Sequence, residues 1–226
     1  MPARNSIKKY LENSYYHIYN RGVEKRLIFQ DLEDYSVFLS YLKNYLIFKD
    51  VSKLQQNLSN KEITYKEKDK IVKQIRLNNF SDEITLIAYA LMPNHFHFLV
   101  KQKNSGSIDT FMNSLGTRYT MYFNRKYKRV GHLYQGVYKA VNISSDEQLL
   151  HLSRYIHCQA LDRKLEYFEN QPSSYLNFLN KQKTDWVHPE EILKHFSKHC
   201  KGLSYESFIL SKNKYPIVDS LKLETD

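Results

Sequence analysis

Within the run Leu91 to Val100, His95 and His97 stand two residues apart in a stretch that otherwise has the composition of a buried strand. Side chains at i and i+2 of a strand share a face, so the two imidazoles project together while Phe96 and Phe98 point to the other side. Two neutral imidazoles side by side are half of a metal site, or else a pair of half-exposed strand histidines, because the His-x-His spacing alone supplies few of the ligands a site needs. Pro93-Asn94 is a turn signal between two apolar runs, Thr85 to Leu91 and His95 to Lys101. It sets the histidines at the start of the second strand of a hairpin, near its rim.

A second pair of reactive groups belongs to a helix. Ser144 and Glu147 have capping-box spacing, and Leu149, Leu152, Ile156 and Ala160 form the apolar stripe that follows. At about 100° per residue, Tyr155 and Gln159 fall one turn apart on one edge of that stripe and present a phenol and an amide carbonyl together. The chain has 19 tyrosines. Most must pack, so only proximity to His95 and His97 can single out Tyr155.

The third feature is electrostatic. From Thr110 to Ser145 there is no acidic residue, while Arg118, Arg125, Lys126, Lys128, Arg129 and Lys139 alternate with Tyr119, Tyr122, Tyr127, Tyr134 and Tyr138. Cations that meet phosphates, interleaved with rings that stack on unpaired bases, suit single-stranded nucleic acid. The competing reading is a solvated basic face with core tyrosines.

The elements that must position these groups are legible in outline. Tyr15 to Asn20 alternates as a strand that Arg21-Gly22 ends, and Asp31 to Phe48 has helical apolar spacing with acidic residues in its first turn. Residues 49–80 read as a charged, partly helical, solvated insertion, with eight Lys/Arg against four Asp/Glu between Lys49 and Arg76. Ser107 to Tyr127 is a further helix, with Ser107 as its capping candidate. Gly131 to Val141 is an extended turn leading into another strand. A chain of 226 residues, 42% hydrophobic, can bury a core, and a net charge of +10 with pI near 9.3 suggests a polyanionic partner. No apolar run is long enough for a membrane span, and Met1 to Asn13 lacks a signal-peptide core, so the expected location is cytoplasmic and no membrane partner is expected. Cys158 and Cys200 have no metal-binding spacing and read as buried or incidental thiols.

Four blocks in order, Tyr16 to Gly22, Met92 to His97, Gly131 to Gly136 and Leu152 to His157, resemble the single-tyrosine HUH transposases, in particular the REP-associated tyrosine transposase branch. The resemblance covers about Tyr15 to Leu161, with weaker echoes at Ser173 to Tyr175 and Trp186 to Phe208. It implies an α+β fold: an antiparallel sheet of ferredoxin-like, RNA-recognition-like HUH-endonuclease topology with helices on one face. The implied domain spans residues 10–165, interrupted by the 49–80 insertion, and a mostly helical C-terminal extension spans 166–226. By motif position the nucleophile is Tyr155, and the metal ligands are His95, His97 and Gln159. The candidate DNA-binding set is Arg21, Arg118, Tyr119, Arg125, Lys126, Tyr127, Lys128, Arg129, Tyr134 and Lys139. Three departures stand out: Gln159-Ala160 replaces the Asn-Pro of many relatives, Val137 stands where a basic residue is common, and the insertion is longer than in compact members.

The resemblance implies metal-dependent nicking and rejoining of single-stranded or hairpin DNA through a 5′-phosphotyrosine, as in DNA transposition and recombination, in a nucleoid-associated protein of a bacterium or archaeon. Two imidazoles and an amide leave room for water and phosphate, which suits Mg²⁺ or Mn²⁺ better than Zn²⁺. Two other classes fit the same residues: a non-catalytic single-stranded nucleic-acid-binding module, and a metal-dependent phosphodiesterase that uses water. Neither would form a tyrosine adduct. Whether Tyr155 completes its own subunit's site or that of a homodimer partner stays open at this level.

Overall fold

The computed structural model describes residues 10–60, 62–161, 171–197 and 200–211. In chain order its elements are β1 (Ser14–Arg21), α1 (Leu32–Leu46), α2 (Val51–Leu58), α3 (Tyr65–Arg76), β2 (Ile84–Met92), β3 (His95–Gln102), α4 (Ser107–Lys126), β4 (Lys139–Ile143), α5 (Asp146–Leu161), and three short helices, α6 (Tyr175–Phe178), α7 (Glu190–Leu193) and α8 (Tyr205–Leu210). The strands form one antiparallel sheet ordered β2-β3-β1-β4. With α1 joining β1 to β2 and α4 joining β3 to β4, this is the ferredoxin-like split β-α-β arrangement that the motifs implied.

Strand alternation divides the sheet into two unlike faces. Tyr16 and Ile18 of β1 and Phe96, Phe98 and Val100 of β3 join Phe38 and Leu42 of α1 and Phe111, Leu115, Tyr119 and Phe123 of α4 in a continuous core. Rings interlock there: Phe38 meets Tyr119 edge-on at 4.9 Å, and Phe96 stacks on Phe98 at 4.6 Å. Burying each such ring is worth about 1.5–3 kcal/mol. An irregularity between Leu86 and Ala88 inserts Ile87 into β2 and resets its alternation. Leu86, Tyr89 and Leu91 consequently join the first core, whereas Ile87, Ala88 and Ala90 face the other way.

That other face is covered by α5, which corrects the expectation that helices occupy one face only. The stripe Leu149, Leu152 and Ile156 needs apolar partners, and it finds them in Ile87, Ala90 and Leu99, since α1 and α4 already fill the first face. Phe178, Ile192, Tyr205 and Ile209 of the C-terminal segment enter the same second core. His157 of α5 bonds Tyr205 Oη at 2.7 Å and Ser174 Oγ at 2.8 Å, tying that segment to α5. Helix in the described part of the expected 166–226 extension is confined to short turns. The expected 165/166 boundary falls outside the described residues, as do 198–199 and 212–226.

Two caps differ from the sequence reading. Ser107 is the first helical residue and its hydroxyl donates to Glu83, so Gly106 occupies the cap position. At α5 the hydroxyl of Ser145, not Ser144, accepts from Gln148 N, while Ser144 N donates to Gln148 Oε1. The insertion does form a helical pair, α2 and α3, and neither helix has a buried residue.

Candidate active site

Three of the four motif blocks converge at one end of the sheet through backbone hydrogen bonds. The β2–β3 turn is held by Ile28 N and Phe29 N donating to Pro93 O and by Gly22 N donating to Asn94 O. On the other side of β1's end, Gln135 N donates to Arg21 O, Val23 N to Leu133 O, and Asn20 Nδ2 to Gly136 O. Gly22 is needed for this approach, because a Cβ there would lie 2.3 Å from Arg26 O. The rim carrying His95 is thus fixed by main-chain contacts from two loops.

Register then lays out the α5-facing surface. Residues paired across neighbouring strands point to the same side. Ala90, His97, Tyr19 and Lys139 form one row, and Met92, His95 and Arg21 the next. The His95 and His97 rings stand 5.0 Å apart at 89°. His95 Nδ1 lies 2.6 Å from Asn94 Oδ1, an acceptor, so Nδ1 carries the proton and Nε2 keeps its lone pair. His97 Nδ1 lies 3.0 Å from His17 Nε2, and His97 Nε2 is buried without a hydrogen-bond partner among the described residues. Burial pulls His95 down to about 4, helped by the Arg21 charge, and pulls His97 well below the usual histidine range, helped by His17, His95 and Arg21. His17 is pulled to about 3 by burial. All three are neutral at pH 7, the form in which imidazole binds a metal.

The chain's own Tyr155 closes the site. Its ring meets His97 edge-on at 5.4 Å and His17 at 6.1 Å. Its hydroxyl is raised above the ordinary tyrosine value, first by burial and then by Tyr19, while Arg21 pulls it down. Gln159, half-buried, follows one turn later on α5. Among the described residues no group of three His, Cys, Asp or Glu converges. The unpartnered buried Nε2 of His97 has the chemistry of a metal ligand.

The DNA-binding candidates divide sharply. Arg21 and Lys139 sit in the rows just described, and Arg125 and Lys128 are exposed at and just beyond the C-terminal end of α4. Arg129 is half-buried and bonds Asn124, and the guanidinium carbon of Arg118 lies over the Tyr41 ring, 3.8 Å from its centroid. Four residues depart from the base-stacking or phosphate role. Tyr119 is fully buried and its hydroxyl donates to Ile28 O; Tyr134 packs on Phe96 with its hydroxyl buried; Tyr127 donates to Asp31 and Asp34. Lys126 is neutralised by Asp31, Glu33 and Asp34 of the α1 N-terminus. The acid-free stretch of sequence acquires its acids in space from another helix.

His17 and Asn94, which orient the two histidines, were missed as site residues. The alternation Tyr15, His17, Tyr19 put His17 on one face of β1, but only the pairing of β1 with β3 shows that this face is the one carrying His97.

Residues 50–159 match the profile of the family described as "Transposase IS200 like", a stretch that contains His95, His97 and Tyr155 and ends on Gln159. No curated protein sequence matches significantly. Among solved structures, a REP-associated tyrosine transposase bound to a REP hairpin is similar at TM-score 0.46 and 7% identity, over 80% of this chain and 95% of that one. A candidate transposase from Deinococcus radiodurans R1 is similar at TM-score 0.28 and 15% identity, over 70% of this chain and 98% of that one.

Proposed function

We propose that this chain, which matches the IS200-like transposases over residues 50–159, acts on DNA as they do and nicks and rejoins single-stranded DNA beside hairpins with Tyr155 as nucleophile. The observation that carries this reading is the edge-on seating of Tyr155 against His97 within one chain, at 5.4 Å.

In the proposed reaction the Tyr155 oxygen attacks the scissile phosphorus, forming a P–O bond as the bond to the 3′ oxygen breaks. The phenolic proton is given up to water and the departing 3′ oxygen takes up a proton, leaving a 5′-phosphotyrosine and a free 3′-OH. A second 3′-OH reverses the attack and joins a different end without ATP, since the phosphotyrosine conserves the bond energy. Arg21 stands in the row of His95 and offers a planar, always charged fork for the phosphate oxygens. It also favours loss of the Tyr155 proton, against the effect of burial. His95, His97 and Gln159 would hold Mg²⁺ or Mn²⁺, which as a Lewis acid supplies stabilisation of the charge that develops on the phosphate.

The test is incubation of the protein with a labelled hairpin-flanked single strand from beside its own gene. Cleavage is expected with Mg²⁺ or Mn²⁺ and not with chelator. His97→Ala is expected to lose at least a hundredfold in cleavage while still shifting the DNA in a gel, since the substitution leaves every candidate binding cation, Arg21 and Lys139 included, in place. Undiminished cleavage by His97→Ala in chelator would contradict the assignment.

A further inference from the structure

The α2–α3 hairpin stands beside the body without burying a single one of its own residues, yet it encloses a cleft of about 950 Å³ against α1 and α4. The cleft is lined by Lys43, Lys53, Lys66, Lys70, Lys73 and Arg118, against which its lining sets two carboxylates, Asp50 and Asp69. Lys66, Lys70 and Lys73 fall at i, i+4 and i+7 and make one stripe of α3. Like charges at such spacing destabilise a helix. Asp69 relieves only Lys73, at 2.6 Å. A further lysine, Lys49, shapes the cleft instead. Its ammonium donates to Gln74 O, Ile75 O and Leu77 O, which clamps the C-terminal end of α3.

Two further features indicate what the cleft receives. Arg118 lies over the Tyr41 ring and also engages Tyr45, yet its Nη1 is buried without a hydrogen-bond partner among the described residues. A buried donor left unpaired is costly, and an anionic oxygen would recover that cost. Phe48, 70% exposed, presents a ring in the same lining. Planar guanidinium, flexible ammonium groups and a free ring are the set that takes a phosphodiester backbone with unpaired bases; an acidic peptide would leave the ring idle.

We infer that this cleft is a second nucleic-acid contact, binding the strand outside the region that is cut. The inference rests on the DNA-acting function proposed above and adds a place that function does not require. The cleft belongs to the α1–α4 side of the sheet, whereas His95, His97 and Tyr155 face α5, so the DNA it holds is remote from the scissile phosphate.

Lysine acetylation footprinting of the full chain tests it, with and without a long single strand that includes the hairpin. Lys53, Lys66 and Lys70 are expected to be protected at least fivefold, with Lys181 of the C-terminal segment unprotected. The triple variant Lys53→Glu, Lys66→Glu, Lys70→Glu changes only exposed side chains, and its fold is checked by circular dichroism. Its slope of log K against log salt is expected to fall by about 2, at ~0.7 for each phosphate no longer neutralised. Equal acetylation while a gel shift shows DNA bound would overturn the inference and leave the active-site function standing. An unchanged salt slope, or the same protection by poly-glutamate, would also overturn it. Absence of any DNA binding would overturn both readings.

Discussion

The two faces of the sheet are built from the same strands under opposite rules. On the α1–α4 side the strands contribute Tyr16, Ile18, Phe96, Phe98 and Val100 to an aromatic core. On the α5 side the same strands contribute His17, Tyr19, His95 and His97, and two ring nitrogens, His17 Nδ1 and His97 Nε2, are buried without hydrogen-bond partners among the described residues. A protein interior ordinarily leaves few buried polar atoms unsatisfied. Two of them in one pair of touching rings set this face apart as the one on which the proposed chemistry rests, and the facing aromatic core supplies the stability to keep them there. The alternation His-Phe-His-Phe in β3 is this division written in four residues.

The largest expected effect tests the stabilising face. Phe98→Ala removes a fully buried ring from the core and is expected to cost about 3–5 kcal/mol in a urea titration. A loss under about 1 kcal/mol, the ordinary cost of an average substitution, would mean that this face is not where stability resides.

Acid should act on the other face. His17 and His157 are held near 3 and His95 near 4, all by burial and all below the value of about 6.5 in the unfolded chain. Between those limits the unfolded chain binds more protons, so the stability these groups contribute is complete above about pH 6.5 and lost as pH falls toward 4. Each such histidine is expected to cost up to about 1.4 kcal/mol per pH unit across that window. Urea midpoints at pH 7.5, 6 and 5 give the slope, and a flat profile would mean that these rings are not buried as neutral groups.

A smaller effect separates ligand from support. With the His97 proton on Nδ1, its hydrogen bond to His17 Nε2 would leave His97 Nε2 available to a cation. Substitution of such a supporting group typically costs about ten- to a hundredfold in metal affinity. His17→Phe is expected to weaken Mn²⁺ binding in a calorimetric titration by that factor, while His17→Gln, whose amide oxygen can accept the same hydrogen bond, recovers most of it. Equal affinity in both variants would reduce His17 to packing.

What the sequence made legible follows from the same contrast. Period-2 alternation and the Pro93-Asn94 turn located the β2–β3 hairpin and the shared face of His95 and His97, because those are local properties. Tyr119 shows the limit. It belonged both to the apolar stripe of α4, with Leu115 and Phe123, and to the basic-aromatic series, and only its burial against Phe38 and the bond to Ile28 O decide for the core. Lys126 teaches the same about charge: its three carboxylates lie more than ninety positions away, at the start of α1. The pairing that brings His17 to His97 crosses 80 positions and has no local signal.

The most direct measurement is a tryptic mass map after reaction with a cleavable hairpin-flanked strand. The expected result is a nucleotide covalently attached at Tyr155, through a bond that survives denaturation, with a free 3′-OH on the upstream piece. Tyr155→Phe, which keeps the ring against His97 and deletes only the oxygen proposed to attack, is expected to bind DNA and form no adduct. An adduct on another tyrosine would contradict the site described here, and cleavage with no adduct would indicate that water, not Tyr155, attacks the phosphate.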